Sequence, residues 1–205
     1  MYGILVVSTE LNTQSQTKTS APAKRMCVVY HSAYGHTARV AQAIVDGANQ
    51  IENMDATLIS VEHMDHYKWE LLDQADVLVF GSPTYMGSVT GQFKLFMDAT
   101  SSRWIARSWS GKLAAGFANS GGLSGDKLAV LQQICLFAMQ HGMIWSGLPL
   151  MSQGHETTDL NRLASFLGLT TQSDNLPVAQ TPPVGDIETA HWFGRYLAQF
   201  AQRMH

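Results

Sequence analysis

Apolar and polar positions come in blocks along the chain, and the period of each block predicts an element. Met26–Tyr30 is a short run rich in β-branched residues, of strand length. From Thr37 the apolar residues recur at Val40, Ala41, Ile44, Val45, Ala48 and Ile51, the spacing of one helical face. Ala56–Val61 reads as a second strand and Tyr67–Gln74 as a short helix. Val77–Phe80 is apolar at every position, as expected for a strand covered on both faces of a parallel sheet. A helix over Gly91–Ala99 carries Phe93, Phe96 and Met97. Leu113–Ala118 is a fourth strand. Asp126–His141 is a long helix, apolar nearly all round and so expected to be well buried. Gly142 ends it in the left-handed position, and Met143–Trp145 is a fifth strand. Residues 147–185 read as a long connection, and Asp186 as the N-cap of a last helix carrying Ile187, Ala190, Phe193, Leu197 and Ala201.

Strands alternating with helices predict an α/β fold, a doubly wound five-stranded parallel sheet in the order 2-1-3-4-5. Residues 25–205 form this domain. Residues 1–24 are an N-terminal extension; its second half, rich in Ser, Thr, Gln and Asn, reads as a flexible linker. The first ten residues are compatible with an edge strand, a partner-binding tail or a segment outside the fold.

At 205 residues and 45% hydrophobic content the chain can build one sizeable core. A net charge of -3 excludes the basic stripe of a nucleic-acid binder and speaks against a strongly acidic electron carrier. Cys27 and Cys135 have no paired spacing, so both read as buried thiols in a reducing compartment, and no metal is expected. No apolar run reaches membrane-span length, and a cytoplasmic protein is the default expectation.

Chemistry concentrates in three turn-rich segments, each just after a predicted strand. Ser32-Ala33-Tyr34-Gly35-His36-Thr37 leads into a helix, where free backbone N–H groups and the helix dipole favour an anion. Ser32 and Thr37 add hydroxyls, and Gly35 lets the chain approach a phosphate closely. An ordinary strand-to-helix turn accounts for the same residues. The dinucleotide and Walker glycine patterns are missing here. Pro83, Thr84, Tyr85, Met86 and Gly87 follow the third strand; Tyr85 and Met86 could face a planar ring or cover the core. Ser120, Gly121, Gly122, Ser124 and Gly125 follow the fourth and could wrap a ribityl chain or a ring edge. His141 either meets the helix dipole or reaches a bound ring, and Trp104 either packs or borders a ligand.

The segment from Tyr30 to Thr37 resembles the phosphate loop of flavodoxin-like FMN proteins, most of all the WrbA type of NAD(P)H:quinone oxidoreductase and its shorter bacterial relatives. Phe80–Val89, Gly91-Gln92-Phe93-Lys94, Gly111-Lys112-Leu113-Ala114 and Gln140-His141-Gly142-Met143 resemble that family in the same order. The resemblance implies FMN as cofactor, NAD(P)H as electron donor and a small acceptor such as a quinone. It implies that Ser32–Thr37 hold the phosphate, that Pro83–Gly87 face the ring, and that Ser120, Gly121 and Gly122, with Ser124 and Gly125, line the ribityl or ring side. Tyr85, Trp104 and His141 would shape the substrate pocket, and the flavin would carry the redox chemistry without a catalytic side chain. A homo-oligomer, dimer or tetramer, is expected, although only residues 62–75 stand where the WrbA type has a long insertion tied to tetramer contacts. Tyr85-Met86 replaces that type's arginine–phenylalanine pair, and residues 152–183 depart from its pattern. A flavodoxin-type electron carrier and a flavin-holding regulatory module are the alternatives. A receiver domain lacks its acidic cluster here, and a low-molecular-weight phosphatase lacks its Cys-x5-Arg loop.

Overall fold

A computed structural model describes residues 23–174 and 176–204. The strands are β1 (Lys24–Tyr30), β2 (Met54–Ser60), β3 (Val77–Pro83), β4 (Leu113–Ser120), β5 (Ile144–Trp145) and β6 (Leu169–Gln172). The helices are α1 (His36–Ala48), α2 (His66–Gln74), α3 (Gly91–Ala99), α4 (Ser101–Ile105), α5 (Lys127–Gln140) and α6 (Val184–Ala201). All pairings are parallel, in the order β2-β1-β3-β4-β5. The central strands β3 and β4 are buried at every position, which explains their uninterrupted apolar and small residues.

Each face of the sheet builds its own core. Met26, Val28, Val79 and Phe117 face α1 and α6, while Val29, Phe80 and Ala114 pack with Phe93, Phe96, Trp109 and Phe137. Helices α1 and α6 cross at two glycines. A side chain at Gly47 would strike the His191 carbonyl, and one at Gly194 would strike the Ile44 carbonyl.

Three expectations need correction. The fifth sheet position is filled by two segments: β5 pairs the start of β4, and β6 pairs its end at Phe117–Ser120. Residues 146–168 lie between them, and β6, written Leu-Thr-Thr-Gln, has too little apolar pattern to read as a strand. Asp186 does not cap α6, because Pro183 holds that position. It sits one turn in, buried, where it receives Arg162 Nε at 2.7 Å and the Gln172 N–H at 2.8 Å. Finally, α5 is not buried all round: Leu128, Leu136 and Met139 face outward and Cys135 is half-buried, whereas Cys27 is buried with its thiol pushed up to about 12 by desolvation. Among the described residues no helix is long and apolar enough to cross a membrane. The expectations for residues 1–22 lie outside the described residues.

Candidate functional site

The order 2-1-3-4 makes β1 and β3 neighbours whose helices leave on opposite faces, and the crevice at their carboxyl ends is the place where such sheets bind ligands. A cavity of about 580 Å³ opens there, within the range of small-molecule sites. The first loop forms its floor. Ser32, Ala33, Tyr34, His36 and Thr37 line it. Gly35 is the N-cap of α1, at φ 90°, and donates its N–H to Ser32 Oγ at 3.1 Å. A side chain at Gly35 would press Val178 Cγ2 at 3.0 Å in a backbone region that only glycine enters freely. No side chain caps α1 and its first turn carries no acid, so the helix start offers its N–H groups and positive dipole end to the cavity.

The second loop supplies one wall. Pro83, Thr84 and Tyr85 line the cavity. The Thr84 N–H is fixed on the Asn119 carbonyl at 2.8 Å, while its hydroxyl is buried without a partner. Tyr85 and Ser88 exchange backbone hydrogen bonds across Met86 and Gly87, both at positive φ. This tight hairpin turn carries Met86 out to full exposure at its tip. Met86 and Gly87 therefore do not line the cavity; they set the position of Tyr85. The rings of Tyr85 and Tyr34 stand 6.4 Å apart at 56°. Burial, and then the neighbouring Tyr34, push the Tyr85 phenol above its usual range.

From the third loop only Ser120 and Gly121 reach the cavity. Gly122, Ser124 and Gly125 stand behind them. Gly122 accepts from Ser120 Oγ at 2.9 Å, Gly125 packs against that hydroxyl, and Ser124 faces a groove beside α5.

Trp104 and His141 do not join this cavity within the chain. They line a separate one of about 370 Å³ with Thr100 and Phe137. Helix α5 starts at the ligand edge and runs back about 21 Å. Its end is therefore tied to the start of β4, where Gly111 donates to the Gly142 carbonyl at 2.9 Å. There His141 Nε2 pairs with Thr100 Oγ1 at 2.9 Å, its ring lies 4.8 Å from that of Trp109, and its Nδ1 is buried without a partner. Burial, and then the charge of Arg107, lower its pKa.

Several wall residues escaped the sequence reading. Asn119, which opens the third turn-rich segment but was given no role, joins the cavity from the end of β4, and Ser173, Asp174, Leu176, Pro177 and Val178 join it from the segment after β6. That segment is fastened to the first loop by His36 Nε2 donating to the Leu176 carbonyl at 2.8 Å and Arg39 Nη1 to Val178 at 2.7 Å. The unread strand β6, paired with the end of β4, leads into it. His31 was also unassigned. It directly follows β1, buried, with Nε2 3.6 Å from Glu62 Oε1 and Nδ1 without a partner.

Comparison with known proteins identifies the family. Residues 31–156 match the family model described as NADPH-dependent FMN reductase. The chain is 42% identical over 184 residues to flavodoxin FldP of Pseudomonas aeruginosa, covering 87% of this chain and 97% of that protein. It is 30% identical over 198 residues to an NAD(P)H dehydrogenase (quinone) of Solidesulfovibrio magneticus, covering 86% and 97%. A flavodoxin, WrbA-like protein from Agrobacterium tumefaciens superposes with a TM-score of 0.72 at 36% identity, over 89% of this chain and 100% of that one. The chain belongs to the NADPH-dependent FMN reductase family and is a flavodoxin-like FMN oxidoreductase.

Proposed function

We propose that the chain passes two electrons from NAD(P)H to a quinone-like small acceptor, with FMN seated in the cavity between the three loops. The observation that carries this reading is the first loop: an uncapped helix start without acids, behind a left-handed Gly35, with the two hydroxyl residues Ser32 and Thr37 lining the cavity. A phosphate is the group those donors suit. When bound, FMN supplies hydride acceptance at N5 and electron delivery to the acceptor.

The protein's own part is binding and orientation. Ser32, Thr37 and the α1 N–H groups hold the phosphate, with His36 and Arg39 fastening the segment above it. The Thr84 hydroxyl, buried without a partner, would hydrogen-bond the cofactor. Tyr85 stands at the mouth of the cavity, where a planar acceptor or nicotinamide would stack. Trp104 and His141, which line another cavity, are given no part in this reading.

Anaerobic addition of NADPH or NADH to the FMN-loaded protein should bleach the flavin band, and a simple benzoquinone should restore it. The flavodoxin-named relative at 42% identity favours a second reading, a one-electron carrier. A flavin band that neither nicotinamide bleaches would select that reading over the first.

A further inference from the structure

Behind the third loop lies a buried charge that the proposed chemistry does not use. Lys127 opens α5 with only 3% of its surface exposed. Its ammonium donates three hydrogen bonds: to Ser120 Oγ at 2.7 Å, to the Gly122 carbonyl at 2.9 Å and to the Leu123 carbonyl at 2.9 Å. All three acceptors belong to the loop, so the loop is wound around the cation. Ser120 also lines the cavity, which places the charge one hydroxyl behind its wall.

The surroundings do not neutralise it. Lys127 takes part in none of the ion pairs among the described residues. The nearest buried charges are Arg162 and Asp186, which are spent on each other at 2.7 Å. Lys127, Arg162 and Asp186 together leave one buried positive charge. Two acids stand near, Asp174 in the cavity wall and Asp126 at the start of α5 outside it, and both are exposed and screened by water. Burial draws the ammonium down to about 8, with Asp186 pulling it up and Arg162 pushing it down, which still leaves the cation the main form at neutral pH. Fastening two carbonyls and a hydroxyl needs only donors. A full charge there costs desolvation energy, and its field reaches the cavity at low dielectric.

We infer that Lys127 is a positioning residue for the third loop that also makes the cavity hold two-electron-reduced FMN more tightly than oxidised FMN. The chemistry behind this is simple. A hydride brings the flavin ring two electrons and one proton, NAD(P)H leaves as NAD(P)+, and the ring gains one negative charge. A fixed cation across the wall favours that charge. The inference rests on the proposed FMN site.

The test is the two-electron midpoint potential of bound FMN, measured against reference dyes, with the dissociation constant of oxidised FMN measured separately. Lys127→Met should lower the ratio of reduced to oxidised affinity about tenfold, a shift of about 30 mV to more negative potential. Lys127→Arg, which keeps the charge, should restore most of it. Lys127→Gln, which keeps a donor for the loop, replaces the Met variant if that variant does not fold. An unchanged potential in the neutral variant overturns the inference, even if FMN affinity drops, because loosening the loop alone would weaken both redox forms alike. An unaltered chain that takes up no FMN would instead overturn the site itself.

Discussion

At the scale of single residues, Gly35 is the most exposed to test. Its left-handed backbone and its contact with Val178 leave no room for a side chain. Gly35→Val should cost about 1–3 kcal/mol of stability and weaken FMN binding at least about tenfold, as read by thermal melts and by quenching of FMN fluorescence. Tyr85 makes a different prediction, since its backbone is fixed by Ser88 and not by its ring. Tyr85→Ala should leave FMN content nearly unchanged while lowering quinone turnover several-fold; equal loss of both would remove Tyr85 from the acceptor side. Met86, fully exposed at the turn tip, should tolerate Ala with changes under about 0.5 kcal/mol.

At the scale of elements, the segment between β5 and β6 is held by buried polar groups more than by apolar packing. Arg162 binds Asp186 of α6 through two nitrogens and Gln172 of β6 through one, and Gln172 Nε2 reaches the Gly121 carbonyl in the third loop. Arg162→Met would strand the Asp186 carboxylate in the interior and should cost about 3–5 kcal/mol, measured by chemical denaturation. The same elements show where sequence reading succeeds and fails. Strands β3 and β4 were legible because both faces are buried, and β1 and the edge strand β2 because each is a short run rich in β-branched residues or Met. Loops one and two were legible because each joins a legible strand to a legible helix. β6 was not, since its Thr171 and Gln172 side chains are buried in hydrogen bonds and not by hydrophobicity. With β6 unread, the wall from Ser173 to Val178 was out of reach. His141 was placed by its helix, since a rise of about 1.5 Å per residue already carries the end of α5 away from the ligand edge; Trp104 in α4 had no such marker.

At the scale of the whole molecule, two buried histidines bear on acid stability. Burial lowers the pKa of His31 and of His141, offset in part at His31 by Glu62 and reinforced at His141 by Arg107. The unfolded imidazoles take up protons near 6.5, and the folded ones only at lower pH. Between those values the unfolded chain binds more protons, so stability rises with pH through that window and is lost as pH falls below about 6.5. Thermal melts at pH 7.5 and pH 5.5 should differ in that direction, and His141→Gln should flatten the difference. The central claim concerns the cavity, and direct titration tests it most simply. Adding the apoprotein to FMN should quench the flavin's fluorescence to saturation at one FMN per chain, with Gly35→Val shifting the curve to higher concentration. Fluorescence unchanged at protein concentrations well above micromolar would contradict the account.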